Sequence, residues 1–284
     1  MLEILVYGAV TSAVYALLAM GFTLVFGVAR VLNLAHGSFY ALGAYGAYFF
    51  GSRLGLSPWA AALLSVATVS AFGVAVERVF VRPLRRTPLA VLMITLGVSL
   101  LVEQLLFIGF GSEARNVTAF VRETVPLGSV QIGGQRLLTL CASVVLLAAL
   151  WVFMQRTRMG TAILAVSQDA EAAQFVGIDS NRIFAVVMAL SAALAATAGV
   201  LVSPFLTVQP TMGLLPMIKA FSIVILGGLG SIPGSLVAAL VLGYSETLVA
   251  YLGSAAYTEM VSLVAILAVL VLRPSGLFGA RAAV

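Results

Sequence analysis

Residues 155–182 read QRTRMGTAILAVSQDAEAAQFVGIDSNR, a polar stretch set between two apolar runs, Leu137 to Met154 and Ile183 to Ser203. Runs of this length can cross a hydrocarbon core about 30 Å thick as helices rising 1.5 Å per residue. The stretch between them must leave the bilayer and return, and that alternation sets the fold class: an all-α, polytopic membrane helical bundle. Within the stretch, Ser167 is placed to cap orphan amides, Asp169 and Glu171 lie in a first turn where the helix dipole favours anions, and Gly177 can close the far end. These signals predict a helix of two to three turns from Ser167 to Gly177. Such a helix is too short to stand alone in water. It must dock on something, and Ala172, Phe175 and Val176 give it a narrow apolar face for doing so.

Composition agrees with a membrane bundle: 62% of residues are hydrophobic and 9% charged, with a mean hydropathy of +1.15. A single transmembrane domain of bundled spans over residues 1–284 is the expected organisation, with the lipid bilayer as its solvent. The net charge of +5 does not point to nucleic acid, because the arginines sit at the ends of apolar segments, as the positive-inside rule requires. One histidine and one cysteine exclude a zinc site on the usual ligands and any disulfide framework. No metal or other cofactor is expected. The opening residues Met1 to Ile4 lack a basic region, so the first apolar run is expected to be a span and not a cleaved signal.

Further spans are expected at Ile4 to Val25, Trp59 to Val79, Leu89 to Phe110 and Glu259 to Leu272. Residues His36 to Phe50 and Leu215 to Tyr251 are apolar but punctuated by Gly, Ser and Pro, which predicts a short span in the first case and two broken or re-entrant segments in the second. The total is eight or nine. With nine spans and the N-terminus outside, Arg30, Arg78, Arg82, Arg85, Arg86, Arg156, Arg158, Arg182, Arg273 and Arg281 fall inside, against Arg53, Arg115, Arg122 and Arg136 outside. The 155–182 loop is then cytoplasmic and the 111–136 loop external, where alternating residues predict a small hairpin. Rows of small residues, Gly43, Ala47 and Gly51, then Ala195, Gly199 and Ser203, predict close helix packing.

The residues offer little enzyme chemistry. A phosphate-binding loop needs a Gly-Lys-Ser/Thr ending, and the one lysine, Lys219, is followed by Ala220, so any ATP must be hydrolysed by another chain. The nearest approach to a serine-hydrolase turn is Gly97-Val98-Ser99 with His36 as the single candidate base, and it reads as mid-helix. Three intramembrane charges, Glu103, Lys219 and Glu246, are functional candidates because charge is costly there. A structural ion pair in the outer half, Lys219 with Glu103 or with Glu246, is the first reading, ahead of contact with substrate. Thr95, Ser99 and Glu103 recur at i, i+4 and i+8 and so form one polar stripe facing a cavity or another helix. The breaks at Asn33 to Ser38 and at Gly227 to Gly234 put irregular backbone at membrane depth, which survives only beside protein or a water-filled cavity. A translocation path is expected at the first, through Asn33, His36, Gly37 and Ser38, and a tight turn at the second.

Phe26-Gly27, Leu32 to Gly37, Gly43-Ala44-Tyr45, Arg158-Met159-Gly160, Ser167-Gln168-Asp169, Gly177-Ile178, Leu226 to Ser231 and Arg273 to Gly279 occur in an order that resembles the H-type permease of bacterial branched-chain amino-acid ABC importers. The resemblance implies a multi-pass subunit of the bacterial plasma (inner) membrane, paired with a second homologous permease, two cytosolic ABC ATPase subunits and an extracytoplasmic solute-binding protein. It carries an ATPase-coupling role onto Gly160, Asp169, Ala172 and Gly177, to which the apolar face adds Phe175, and a translocation role onto Asn33, His36, Gly37 and Ser38, beside Thr95 and Ser99. Branched-chain amino acids are the family default, though its members also serve other amino acids, urea and short amides. The other class left open is a stand-alone secondary transporter of a small polar solute, in which Glu103, Lys219 and Glu246 would be coupling groups.

Overall fold

The structure, a computed structural model, describes residues 2–127, 130–253, 255–273 and 276–278. Gly128, Ser129, Pro274, Ser275, Gly279 and Arg281 lie outside them. Helix α1 (Leu2–Ala29) is followed by a non-helical segment and then by α2 (His36–Ala47), which widens into a π-helical turn, Tyr48–Arg53. Helix α3 (Pro58–Val76) continues through a second π turn, Glu77–Val81, into α4 (Arg82–Leu84), and α5 (Pro88–Phe110) follows. After a hairpin of β1 (Thr124–Leu127) and β2 (Val130–Gly133) come α6 (Gly134–Arg156), α7 (Arg158–Gln168), α8 (Ala170–Phe175) and α9 (Ser180–Val202). The chain then forms α10 (Leu214–Gly227), α11 (Ile232–Leu252) and α12 (Thr258–Leu272).

Among the described residues, six helical segments are long and apolar enough to cross a membrane: α1, α3 continuing into α4, α5, α6, α9 and α11. Helices α10 and α12 are shorter apolar helices. Local chemistry sets many of the ends. Ser57 caps α3 ahead of Pro58, Asp179 caps α9 through the amides of Asn181 and Arg182, and Ser231 caps α11 through the amide of Gly234. Gly111, with φ of 77°, closes α5. The expected hairpin is present, with Val125 opposite Ile132 and Pro126 opposite Gln131.

Helices α1 and α9 are buried along most of their length, while α3, α5 and α6 turn exposed faces outward. The central positions follow from small residues, which let backbones approach where lipid gives no hydrophobic drive for helices to associate. A side chain on Gly43 would meet the backbone of Ala196, one on Gly199 the backbone of Tyr40, and one on Gly243 the backbone of Ser12. Gly43 and Gly199 therefore do the close packing expected of their rows, whereas Gly51 makes only an ordinary contact with Ala61.

The 215–251 region divides into two helices, as expected, but α11 is one continuous span and only α10 is a half-helix. Its turn brings together three separate stretches. Gly228 and Gly230 take φ of 101° and 84°, Gly230 lies against Gly27 of α1, and the amides of Leu277 and Phe278 donate to the carbonyls of Leu226 and Gly227 at 2.8 and 3.0 Å. The second break is thus the tight turn that was expected, locked by the C-terminal segment.

Candidate functional site

Helix α2 does not begin at the edge of the bundle. His36, fully buried, places Nε2 2.9 Å from the carbonyl oxygen of Leu18 and Nδ1 3.2 Å from the hydroxyl of Ser191. Leu18 lies sixteen residues into α1, about 24 Å along a helix roughly 42 Å long. The start of α2 is therefore at mid-depth. Gly37 abuts Gly213, which directly precedes α10, so the two half-helices begin side by side within the bundle.

The irregular segment that reaches this point is satisfied by protein, as its depth requires. Asn33 Oδ1 accepts from the amide of Ala35 at 3.1 Å, and Asn33 Nδ2 approaches the Met188 sulfur at 3.4 Å. The amide of Leu34 donates to Thr95 Oγ1 at 3.1 Å, and Ser38 donates to Ser99 at 2.9 Å. The polar stripe on α5 is thus the seam that holds the break in place. Its third member, Glu103, lies with Gly37, Ser38, Ser99, Gly213 and Met217 around a cavity of about 590 Å³. Both half-helix starts border this cavity, and helix N-termini carry partial positive charge. His36 and Ser99, the serine–histidine combination considered from the sequence, are each bonded to other partners.

Lys219 pairs with Glu246, not with Glu103. Its Nζ donates to Glu246 Oε2 at 2.5 Å and to the Tyr15 hydroxyl at 2.7 Å, and Tyr15 in turn donates to the same carboxylate oxygen. The lysine and glutamate side chains are 14% and 5% exposed, so this is a buried pair. Tyr15 is about 20 Å along the roughly 42 Å of α1, which puts the triad close to the middle of that helix. Lys219 and Tyr15 form one end of a second cavity, about 660 Å³, that reaches Arg136 and Tyr7 at the hairpin end of the bundle. Tyr15 was missed because a lone tyrosine in an apolar helix carries no signal until its partners are known.

The 155–182 stretch is helical for most of its length and holds two helices where one was expected. Thr157 caps α7 through the amide of Gly160 at 3.0 Å, and Gly160, Ile163 and Val166 bury one face of α7 against the bundle. Gly160 has no room for a side chain, because the backbone of Phe153 and Met154 occupies it. Ser167 lies inside α7 and donates to the carbonyl of Leu164, so the cap of the next helix falls to Asp169, whose Oδ1 accepts from the amides of Glu171 and Ala172. Helix α8 is correspondingly shorter than expected, six residues, and Gly177 with φ of 85° follows it. Ala173 packs inward, whereas Phe175 and Val176 are 92% and 76% exposed and Ala172 is also exposed.

Comparison with known proteins agrees with this architecture. The family described as "Branched-chain amino acid transport system / permease component" matches residues 4–270. The high-affinity branched-chain amino acid transport system permease protein BraD of Pseudomonas aeruginosa is 33% identical over 98% of this chain and 95% of its own length. LivH of Escherichia coli K12, a permease protein of the same kind of system, is 30% identical over 96% of this chain and 93% of its own length. The ribose import permease protein RbsC of Escherichia coli K12 is 31% identical over 92% and 82%. In fold alone the chain is similar to PsaBC from Streptococcus pneumoniae, solved in complex with Fab, with a TM-score of 0.55 at 12% identity, covering 94% of this chain and 91% of that one. The chain is a multi-pass protein of the bacterial inner membrane and belongs to the family of branched-chain amino acid transport system permease components.

Proposed function

We propose that this chain moves branched-chain amino acids inward as one of two homologous permeases in an ATP-driven importer, with two cytosolic ATPase subunits and an extracytoplasmic solute-binding protein. Family membership implies ATPase and binding-protein partners in general, and the chain itself has no nucleotide-binding motif. The observation that carries the substrate reading is the cavity between the half-helix starts. It sets two positive helix termini and the carboxylate of Glu103 around one space of about 590 Å³. A zwitterion needs both signs, and an aliphatic side chain needs the apolar wall that Leu96, Leu100, Leu214 and Phe221 provide. Asn33, His36, Thr95 and Ser99 hold the break that shapes this path, and Gly37 and Ser38 line it.

The α7–α8 unit is the ATPase-coupling element in this proposal. Gly160 seats α7 against the bundle, Asp169 fixes the start of α8, and the exposed Ala172, Phe175 and Val176 form the face an ATPase groove would cover. The decisive test is uptake by the complete assembly in membrane vesicles. Leucine uptake should continue when an ionophore collapses ion gradients, stop when internal ATP is removed, and be competed by isoleucine and valine but not by ribose. Uptake that follows the ion gradient would overturn the importer, and competition by ribose alone would overturn the substrate.

A further inference from the structure

Three arginines from two separate parts of the chain converge on one cavity that neither the transport path nor the coupling element uses. Arg78, from the π turn after α3, Arg82, at the start of α4, and Arg182, from the first turn of α9, line a space of about 580 Å³. Among the described residues none of the three has an ion-pair partner. Asp179 at the same mouth is engaged as the α9 cap, and Glu77 is bonded to Arg85, whose guanidinium also stacks on Phe184. Glu77 and Arg85 cancel and Asp179 offsets one arginine, so the mouth keeps a surplus of two positive charges.

The deeper wall is different in kind. It is made by Val74 on α3 and by Ala185, Val186 and Ala189 on α9. Ala189 is seven residues beyond Arg182, about 10 Å further along its helix. Both walls belong to segments long and apolar enough to span the bilayer. A soluble anion would fill the mouth and leave the wall bare, and a soluble protein domain would not reach the wall. We propose that this cavity binds an anionic phospholipid, its phosphodiester held by Arg78, Arg82 and Arg182 and an acyl chain laid along Val74, Ala185, Val186 and Ala189. Arginine suits the head because its planar fork donates in pairs to phosphate oxygens, and basic pockets between helices on the cytoplasmic side are a recurrent form of lipid recognition. Positive-inside placement alone requires arginines near this end but not their convergence on an apolar slot.

The test uses the purified full chain in detergent, with binding followed by native mass spectrometry. Dioctanoyl phosphatidylglycerol is compared with dioctanoyl phosphatidylcholine and with inorganic phosphate. Phosphatidylglycerol should bind in preference to both. The R82Q/R182Q double variant should weaken it by about tenfold or more, since each basic group near the head contributes about fivefold. R156Q/R158Q, which removes as much charge outside the cavity, should change binding by less than about twofold. Val74→Phe, which narrows the apolar end, should weaken the lipid and leave the weak phosphate binding unchanged. Equal binding of phosphatidylcholine, equal losses in the two double variants, or phosphate binding as tight as the lipid would each overturn the proposal. So would a result in which R82Q/R182Q keeps its lipid and instead fails to retain the ATPase subunits.

Discussion

At the scale of single residues, the buried triad of Tyr15, Lys219 and Glu246 dominates. Breaking one side of a buried pair costs about 3 to 5 kcal/mol, whereas replacing both sides by apolar groups is often neutral. Lys219→Met should therefore lower the yield of folded, monodisperse protein, and adding Glu246→Leu should restore it. Adding Glu103→Leu should not, and gel-filtration profiles of the fluorescently tagged variants would decide; rescue by Glu103→Leu would contradict the pairing. Glu103 itself borders the proposed path with no ion pair among the described residues. Glu103→Gln keeps its shape and removes its charge, so it should leave expression unchanged and reduce leucine uptake by about tenfold, the equivalent of one lost charge-assisted contact. Undiminished uptake would remove Glu103 from the path.

At the scale of elements, α8 is where shape can be tested apart from chemistry. Because Asp169 is the cap, Ala172 lies in the first turn with its amide already bonded to the cap, and a proline there would remove that bond alone. Gln174 is exposed and lies in the last turn of α8, past the capped amides, so Gln174→Pro is the sharper break, costing about 3 kcal/mol and also losing the Gln174 side-chain bond to Ser180. Asp169→Ala should cost about 1 kcal/mol. Phe175→Asp keeps the helix and places a charge on its exposed face. Each variant should insert normally, and the expected order of ATPase retention on affinity purification is wild type, then Asp169→Ala, then Gln174→Pro. Phe175→Asp should fall with Gln174→Pro. Full retention in both would mean that α8 does not dock the ATPase. The contact between α2 and α9 makes a similar case: Gly199 has no room because the Tyr40 backbone fills it, so Gly199→Leu should separate α9 from α2 and lower the yield of folded protein.

At the scale of the whole molecule, the arginine-rich ends of the helices gather on one side and the hairpin on the other, and the proposed orientation sets the first side in the cytosol. In a Cys141→Ser background, Gln168→Cys and Ser112→Cys lie at exposed positions at opposite ends of the bundle. They should react with an impermeant thiol reagent from opposite faces of the membrane, Ser112→Cys in intact cells and Gln168→Cys only in inverted vesicles. Labelling of Gln168→Cys alone in intact cells would invert the topology, and labelling of both there would discard it.

Much of this molecule was legible in its residues, and the division has a physical cause. The apolar spans, the hairpin and the polar stripe on α5 are each properties of one segment and its solvent, and the sequence alone determines them. The start of α8 was misplaced by two residues because Ser167 and Asp169 are both competent caps, and α7 settles the choice by continuing through Ser167 to Gln168 under the hold of Ile163 and Val166 on the bundle. Which charge Lys219 meets, the depth at which α2 and α10 begin, and the closing of the Gly227 turn by Leu277 and Phe278 belong to no segment. Those are contacts between residues far apart in the chain. Only tertiary packing decides them, since in a bilayer one apolar helix face fits many neighbours and the few buried polar groups select among them.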